Sequence, residues 1–208
     1  MVWPDGSLYE GYMLHNSVNG YGRLIHSDGD FYQGFWQNEK AHGFGVYTHD
    51  NGAAHRGFWM QDKQEGAGIS TMPNKSKFYC NYVNGVKEGP GKATWADGNS
   101  YNGEFSVNKI HGLGTYTWRD GRTYCGQWVE NKMNGSGMMK WSDGRSYDGT
   151  YVNDQKDGHG VYKWADGRVY DGQWLAGKQH GTGQYTNKEG VTREGIWEKG
   201  QQKTWLNK

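Results

Sequence analysis

The sequence is poor in the residues from which most globular cores are built. Leu, Ile and Val together number 21 among 208 residues, whereas Trp, Tyr and Phe number 32. Because aliphatic side chains dominate ordinary cores, this composition excludes a thick conventional core. An aromatic ring buries a large area and can still present a polar edge to water. The sequence therefore predicts a thin layer that is packed mainly by aromatic rings.

Long apolar runs, cysteines and net charge are also scarce. No stretch approaches the ~20 apolar residues that span a bilayer, and the first residues lack the basic and apolar regions of a signal peptide. The two cysteines, Cys80 and Cys125, are typical of a reducing compartment. These absences predict a cytoplasmic protein. The net charge of +1 gives no overall attraction to nucleic acid or lipid, and we expect no nucleic-acid partner.

Glycine and the aromatic residues, in contrast, recur with a period of 23 residues. Steps of 23 from Tyr9 reach Tyr32, His55, Phe78, Tyr101, Tyr124, Tyr147, Tyr170 and Arg193. Paired glycines follow in each repeat, at Gly20/Gly22, Gly43/Gly45, Gly66/Gly68, Gly89/Gly91, Gly112/Gly114, Gly135/Gly137, Gly158/Gly160 and Gly181/Gly183. The sequence predicts one continuous array, with a partial repeat over 1–8, eight full repeats over 9–192, and a partial repeat and tail over 193–208.

Each repeat has the pattern of a β-hairpin. Both aromatic segments alternate with period two, which indicates strands, and glycines on the same face let each ring lie across a neighbouring strand. Asp-Gly pairs, such as Asp120-Gly121, are typical of type I′ turns. The predicted fold is all-β: an elongated, single-layer antiparallel meander. Strands lie ~4.8 Å apart, so eight hairpins would form a ribbon about 80 Å long.

The repeat resembles a known family. Clear examples of its pattern are Tyr32-Gln-Gly-Phe-Trp36 with Gly43-Phe-Gly-Val-Tyr47, and Tyr170-Asp-Gly-Gln-Trp174 with Gly181-Thr-Gly-Gln-Tyr185. At this period the pattern is similar to the MORN repeat (membrane occupation and recognition nexus), over essentially the whole chain. The resemblance implies an antiparallel ribbon with a groove on its aromatic face. It also implies a protein-binding scaffold of cilia, cytoskeletal structures or membrane junctions, or a region attached to an enzyme such as a phosphoinositide kinase.

Two surfaces are candidate binding sites. The first is an aromatic groove in the most regular repeats, formed by Tyr101, Phe105, Trp118, Trp128, Trp141, Tyr151, Trp164 and Trp174. Tyr and Trp are good anchors for a bound helix or extended segment, although some of these rings must support the fold. The second is a lysine edge, formed by Lys40, Lys63, Lys109, Lys132 and Lys178. This edge consists either of solvated turn residues or of a site for an acidic partner or lipid head groups.

Catalytic, cofactor and metal sites are not predicted. The segment from Gly172 to Lys178 matches most of a P-loop, but Gln179 stands where Ser or Thr is required, and a helix does not follow. His42, His111 and His180 share one repeat position and would lie ~30 Å apart, too far to share a zinc ion. No nucleophile and base recur together, so we expect no enzymatic activity and no cofactor.

Three segments depart from the repeat. Before Phe78, Lys75 replaces the turn glycine, and Cys80 replaces a strand glycine; this is drift, a local bend or a partner-specific surface. The chain starts within a repeat unit. At the other end, the strand that begins at Arg193 lacks the following glycine pair, which predicts an unpartnered strand. Its tail would either fold back as a cap or leave the edge open for assembly with another chain.

The favoured function is a non-catalytic scaffold that binds a protein partner along the aromatic groove, in a ciliary, axonemal or other cytoskeletal assembly. One alternative is a peripheral membrane module that binds anionic phospholipids, although we expect little or no such binding. The other is the regulatory MORN region of an enzyme. The sequence does not identify the partner or the oligomeric state.

Overall fold

The computed structural model of the protein describes residues 1–206. Within that range there is no helix, and eighteen strands belong to one open antiparallel sheet, which confirms the predicted β-meander. The strands are β1 (Leu8–Leu14), β2 (Ser17–Ile25), β3 (Phe31–Gln37), β4 (Lys40–Thr48), β5 (Ala54–Met60), β6 (Lys63–Thr71), β7 (Lys77–Val83), β8 (Val86–Thr94), β9 (Ser100–Ser106), β10 (Lys109–Thr117), β11 (Thr123–Val129), β12 (Lys132–Lys140), β13 (Ser146–Val152), β14 (Gln155–Lys163), β15 (Val169–Leu175), β16 (Lys178–Thr186), β17 (Thr192–Glu198) and β18 (Gln201–Trp205).

The chain divides into two compact units. The N-terminal unit comprises Met1–Gly98 and Glu104–Lys109, and the C-terminal unit comprises Asn99–Gly103 and Ile110–Lys208. In the N-terminal unit, β1 to β8 pair in chain order, each antiparallel to the next. In the C-terminal unit, β10 to β18 pair in the same way. The predicted tail residues 207 and 208 lie outside the described residues.

Facing glycines allow the tyrosine rings to lie flat against the sheet. Gly34 of β3 pairs with Gly45 of β4, and a Cβ on Gly34 would lie 2.5 Å from the Gly45 Cα and 2.6 Å from the Tyr32 hydroxyl oxygen. The space that two side chains would occupy is therefore filled by the Tyr32 ring, which is 2% exposed. The same arrangement recurs at Tyr101, Tyr124, Tyr147 and Tyr170. This explains why the tyrosine recurs with facing glycines such as Gly34 and Gly45, whereas Gly43 has a φ of 81°, which favours glycine.

In several hairpins the hydroxyl of the repeated tyrosine helps to stabilise a bulge. In the β3–β4 pair the register shifts between Gly34 and Trp36, and the Tyr32 hydroxyl donates to the Phe35 carbonyl at the bulge, at 3.1 Å. Tyr124 and Tyr170 donate in the same way to the third residue after them. The Trp36 Nε1 donates to the Gly22 carbonyl of the preceding hairpin, at 3.2 Å. The tyrosine thus stabilises its own hairpin, and the tryptophan connects that hairpin to the preceding one.

The predicted position of the type I′ turns was wrong. Within the hairpins, both turn residues have positive φ, as at Asn38 (49°) and Glu39 (65°), which is the geometry of type I′. In the Asp-Gly connections between hairpins only the glycine has positive φ, as at Gly121 (86°). There the Asp120 carboxylate accepts a hydrogen bond from the Arg122 amide, at 3.0 Å. The aspartate column therefore forms Asx turns, because its side chains bind the backbone two residues later.

The irregular turn before Phe78 keeps the geometry of the other connections. Lys75 has a φ of 71° at the glycine position, and its amide donates to the Met72 carbonyl at 2.9 Å. At the C-terminal end, the strand from Arg193 is not left unpartnered, and of the two predicted alternatives the structure confirms the tail that folds back. The tail folds back as β18 and pairs with β17, and Trp205 packs against Trp197 with ring centroids 5.8 Å apart.

Candidate functional site

The strands of each unit have two chemically distinct faces. We call the face that carries the repeated tyrosines and tryptophans, such as Tyr32 and Trp36, the front face, and the face that carries the residues between them, such as Phe35, the back face. Successive side chains of a strand point to opposite faces. The burial of β3 follows this alternation, because Tyr32 and Trp36 are buried whereas Phe35 is 50% exposed.

The eight predicted groove residues lie on the front face but differ in exposure. Five of them are at most 7% exposed and therefore support the fold: Tyr101, Phe105, Trp128, Tyr151 and Trp174. The other three, Trp118, Trp141 and Trp164, occupy one repeat position directly before the Asp-Gly connections and are half-buried. The structure thus narrows the rings that a partner could contact directly to these three, which we call the tryptophan row.

An arginine covers each ring of the tryptophan row. The guanidinium carbons of Arg122, Arg145 and Arg168 lie 5.1, 5.4 and 5.2 Å from the ring centroids of Trp118, Trp141 and Trp164. Each arginine also forms an ion pair with the aspartate of its own turn, at Nε–O distances of 2.7 to 2.8 Å. These ion pairs are exposed and contribute little to stability. They fix each guanidinium beside its ring, so these three repeats present the same aromatic and polar surface.

The predicted lysine edge is exposed along its whole length. Lys40, Lys63, Lys109, Lys132 and Lys178 each begin a strand directly after the turn within a hairpin. The turns before Lys40, Lys63 and Lys132 contain the carboxylates of Glu39, Asp62 and Glu130, and Asp154 lies in the corresponding turn before Gln155. Some of these carboxylates are engaged by the backbone; for example, Asp62 Oδ1 accepts from the Ala41 amide at 2.7 Å. The edge therefore carries charges of both signs, which weakens its attraction for anionic lipid.

A family model described as MORN repeat matches most of the chain. The matched segments are residues 32–54, 55–77, 81–100, 101–121, 124–144, 147–167 and 170–192. The chain belongs to the MORN-repeat family. Residues 9–31 lie outside these segments, yet they form a hairpin with the same tyrosine contact, in which the Tyr9 hydroxyl donates to the Tyr12 carbonyl at 2.9 Å.

The MORN array also shares its fold with a known structure, although no curated protein sequence matches it. The wild-type TCP10 domain of Danio rerio CPAP is 15% identical, with a TM-score of 0.53 over 98% of this chain and 95% of that chain. A second match, at 15% identity and a TM-score of 0.42, covers 70% of this chain and 78% of the other. It is the SAS-4 (dCPAP) TCP domain of Drosophila melanogaster in complex with a proline-rich motif of Ana2 (dSTIL).

One MORN repeat of the N-terminal unit has a hollow on the front face that sequence reasoning missed. Ser70 stands where Tyr47 stands one repeat earlier, and a cavity of about 370 Å³ lies between these positions. His55 lines it and replaces the usual buried tyrosine. Its Nδ1 lies 2.8 Å from Ser70 Oγ, and its buried Nε2 has no partner among the described residues. Burial and the charge of Lys87 lower the pKa of His55 to about 4, so the ring is neutral.

A lysine of the C-terminal unit was also missed. Lys156 lies under four rings, with its Nζ 4.9 Å from Tyr147, 4.2 Å from Tyr162, 4.6 Å from Trp174 and 5.4 Å from Trp141. Burial, followed by the charge of Arg145, lowers its pKa to about 8. Most repeats hold an uncharged residue at this position, such as Ala41, Gln64 and Met133, and Lys87 is the other lysine there.

Groups that could support catalysis or metal binding do not come together in the part of the chain that the structure describes. Within residues 1–206, no three His, Cys, Asp or Glu side chains are placed to hold a metal ion. The P-loop-like segment from Gly172 to Lys178 is a strand, a turn and the start of the next strand. Over the same residues there is no helix of the length and apolarity needed to cross a membrane.

Proposed function

We propose that this MORN array is a non-catalytic scaffold that binds a partner protein through its aromatic front face. The observation that carries the proposal is the tryptophan row of the C-terminal unit. Trp118, Trp141 and Trp164 are half-buried, whereas rings that only supported the fold would be fully buried. Partly exposed Trp and Arg side chains are the residue types that contribute most to protein interfaces.

The spacing of the row fits a regular partner. Successive tryptophans are separated by two strands, about 10 Å. Seven residues of an α-helix rise about 10 Å, and so do three residues of an extended chain. A helix with an apolar residue in each heptad, or an extended segment with one at every third residue, would therefore meet the same Trp–Arg surface in each repeat.

The cellular setting of the proposal is a cilium, an axoneme or another cytoskeletal structure in the cytoplasm. The support is membership of the MORN family, which implies scaffolds of this kind. Binding to anionic lipid is disfavoured by the mixed charges along the lysine edge. We expect weak, salt-sensitive binding at most to phosphatidylserine vesicles at physiological salt, and little change when Lys40, Lys63, Lys109 and Lys132 are changed to Glu. Tight binding that those changes abolish would support the membrane alternative.

Single changes in the tryptophan row test the scaffold function. The partner is first identified by affinity capture and mass spectrometry, and its affinity for the purified chain is then measured for Trp118→Ala, Trp141→Ala and Trp164→Ala. We expect at least one change to weaken binding by ~2 kcal/mol or more, with circular dichroism and melting temperature nearly unchanged.

A buried ring of the same unit gives the matched control. Trp128→Ala removes a ring that is 5% exposed and whose Nε1 donates to the Gly114 carbonyl, so it should lower the melting temperature. If every change in the row either unfolds the array or leaves partner binding intact, the front face is purely structural. Binding would then be sought at the turn edges, at the outer edge of β18 or near Cys80.

A further inference from the structure

The back face of the N-terminal unit carries a row of exposed aromatic rings, which we call the back-face row. It consists of Tyr12, Tyr21, Phe35, Phe44, Phe58 and Tyr79, which are 40% to 73% exposed. Neighbouring rings contact edge to face, with centroids 5.4 Å apart for Tyr21 and Phe35 and 5.7 Å apart for Phe44 and Phe58. A contiguous exposed apolar surface of this kind is uncommon unless it meets a partner.

The MORN fold does not require rings at these positions. One repeat position holds Phe35 and Phe58 in the N-terminal unit but Gln127, Thr150 and Gln173 in the C-terminal unit. These polar side chains bind the backbone at the bulge. Gln127 Oε1 accepts from the Ser136 amide at 2.8 Å, and Thr150 Oγ1 donates to the Asp157 carbonyl. Because a polar residue fits the same backbone and makes additional hydrogen bonds there, packing does not account for the exposed phenylalanines.

The row leads into a hollow that can accept a large side chain. A cavity of about 520 Å³ opens on the back face and is lined by Phe44, Phe58, Ile69, Tyr79 and Pro90, among others. A concave apolar pocket beside flat rings suits a side chain of a partner protein.

The charge around the row is mainly positive. The guanidinium carbon of Arg23 lies 4.6 Å from the Phe31 ring centroid, and that of Arg56 lies 5.6 Å from the Phe44 ring centroid. Lys77 and Lys92 are exposed and share this face by strand alternation.

Three carboxylates of β1–β8 offset part of this charge, but the four cations named above outnumber them. They belong to Glu10, which pairs across the strands with Arg23, and to Glu65 and Glu88, which accept hydrogen bonds from turn amides of the next hairpin. The surface therefore complements acidic groups.

We propose that the back-face row binds a segment of a partner protein in which large apolar side chains alternate with carboxylates. One apolar side chain enters the hollow between Phe44, Phe58 and Tyr79, and the carboxylates meet Arg23 and Arg56. This site lies on the other face, and in the other unit, from the tryptophan row, so one array binds two partner segments.

Three synthetic peptides of about fourteen residues test the proposal with the full chain. They share the same Trp, Leu and Phe positions and carry only Glu, only Gln or only Lys between them. Fluorescence anisotropy should show that the Glu peptide binds about tenfold more tightly than the Lys peptide. The double change Phe44→Thr with Phe58→Gln should weaken its binding about tenfold or more. Both replacements occur naturally at these repeat positions, as Thr182 and Gln173, and should preserve the fold.

A matched control lies in the C-terminal unit. Leu113 occupies the repeat position of Phe44 and is 61% exposed, so Leu113→Ser should change the affinity for the Glu peptide by less than about twofold. Arg23→Glu with Arg56→Glu should reverse the preference for the Glu peptide over the Lys peptide. Trp141→Ala should leave this binding unchanged, which separates the outcome from that of the front face.

Several results would overturn the proposal. One is the absence of saturable binding by all three peptides; another is binding that the double change at Phe44 and Phe58 leaves intact. Self-association by sedimentation that is lost in the same double variant would assign the row to a second copy of the chain. Binding of the chain to phosphatidylcholine vesicles containing phosphatidylserine, if the same double variant loses it to the same extent, would assign the row to a membrane.

Discussion

The two units differ in which face exposes aromatic rings. In the C-terminal unit, Trp118, Trp141 and Trp164 are half-buried on the front face, and the repeat positions of Phe35 and Phe44 hold no Phe or Tyr. In the N-terminal unit, the position of the tryptophan row holds Trp3, His26, His49, Met72 and Trp95, so the row is interrupted there, whereas exposed rings occupy the back face. The same backbone repeat is therefore decorated differently, which shows that the rings of these rows are not dictated by the fold.

The column of buried tyrosines differs less between the units, but across the full repeats it is complete in only one of them. The C-terminal unit repeats Tyr101, Tyr124, Tyr147 and Tyr170, each at most 2% exposed. The N-terminal unit interrupts this column with His55 and Phe78. The histidine is almost as buried, at 5% exposed, but it leaves one ring nitrogen without a hydrogen-bond partner. The two units thus have the same kind of sheet but a regular tyrosine column in one and an interrupted column in the other, and the effect of this difference on stability can be measured.

The largest expected effect on stability comes from placing a side chain on a glycine of a facing pair. Gly126 faces Gly137 in a regular hairpin, whereas Gly91 faces Cys80 in the irregular one. A Cβ on Gly126 would lie 2.5 Å from the Gly137 Cα and 2.6 Å from the Tyr124 hydroxyl oxygen, so backbone and ring would both have to move. Gly126→Ala should destabilise the C-terminal unit by ~3 kcal/mol or more, at the upper end for overpacking. At Gly91 the nearest atom is the Cys80 Sγ, at 2.8 Å, and Gly91→Ala should cost less. Melting temperatures compare the two; equal losses would contradict the difference between the pairs.

The next effect is the acid sensitivity of the N-terminal unit. Because the pKa of His55 falls from 6.5 to about 4 on folding, the unfolded chain binds a proton between these pH values while the folded chain does not. Stability should therefore fall by about 1 kcal/mol for each pH unit below about 6.5. His55→Tyr restores the repeat residue and should remove most of this slope. The melting temperature between pH 7 and 4.5 is the measurement, and His159→Gln, at an exposed histidine, is the control.

The repeat and its buried residues could be read from the sequence because they depend on local alternation. Tyr32, Gly34 and Trp36 were placed on one face from their period of two, and the structure agrees. The type I′ turns could not be located in this way. Pairs such as Asn38-Glu39 adopt positive φ because the two-residue connection and the bulge demand it, not because their own preferences do.

The candidate surfaces were only partly predictable. The sequence grouped the tryptophan row with five buried rings in one predicted groove, because alternation assigns a side chain to a face but does not indicate how deeply it is buried. Phe44 and Phe58 were not predicted as a site because the repeated glycines and aromatic residues lie on the front face. The same alternation nevertheless places both phenylalanines on the exposed back face. The surroundings of Lys156 depend on the register across the bulge, in which Lys156 pairs with Tyr151, and that register is not encoded in any short motif.

Alkaline pH provides a third, smaller test, because it should affect the C-terminal unit. Folding lowers the pKa of Lys156 from 10.5 to about 8, so the unfolded chain retains a proton that the folded chain loses. Stability should rise with pH from about 8 until tyrosines ionise; burial raises the pKa of Tyr124 to about 12, and the unfolded chain loses those protons first. Lys156→Met, the residue at position 133, should abolish this rise and stabilise the unit by ~1 kcal/mol at pH 7. An unchanged alkaline profile would show that the four rings compensate the burial.

The smallest expected effect concerns one turn position that the units fill differently. Val107 of the N-terminal unit has a φ of 46°, and Asn153 of the C-terminal unit has a φ of 47° at the same repeat position. A β-branched residue is strained in this region, whereas asparagine tolerates it. Val107→Asn should therefore stabilise the protein by ~1 kcal/mol, and Asn153→Val should destabilise it by a similar amount. Val107 is 64% exposed, so little packing is lost in the first change. Chemical denaturation of both variants measures the pair, and opposite shifts of similar size are expected if the turn backbone is the same in both units. Shifts of the same sign would mean that the two turns differ in conformation, and the units would then differ in backbone as well as in side chains.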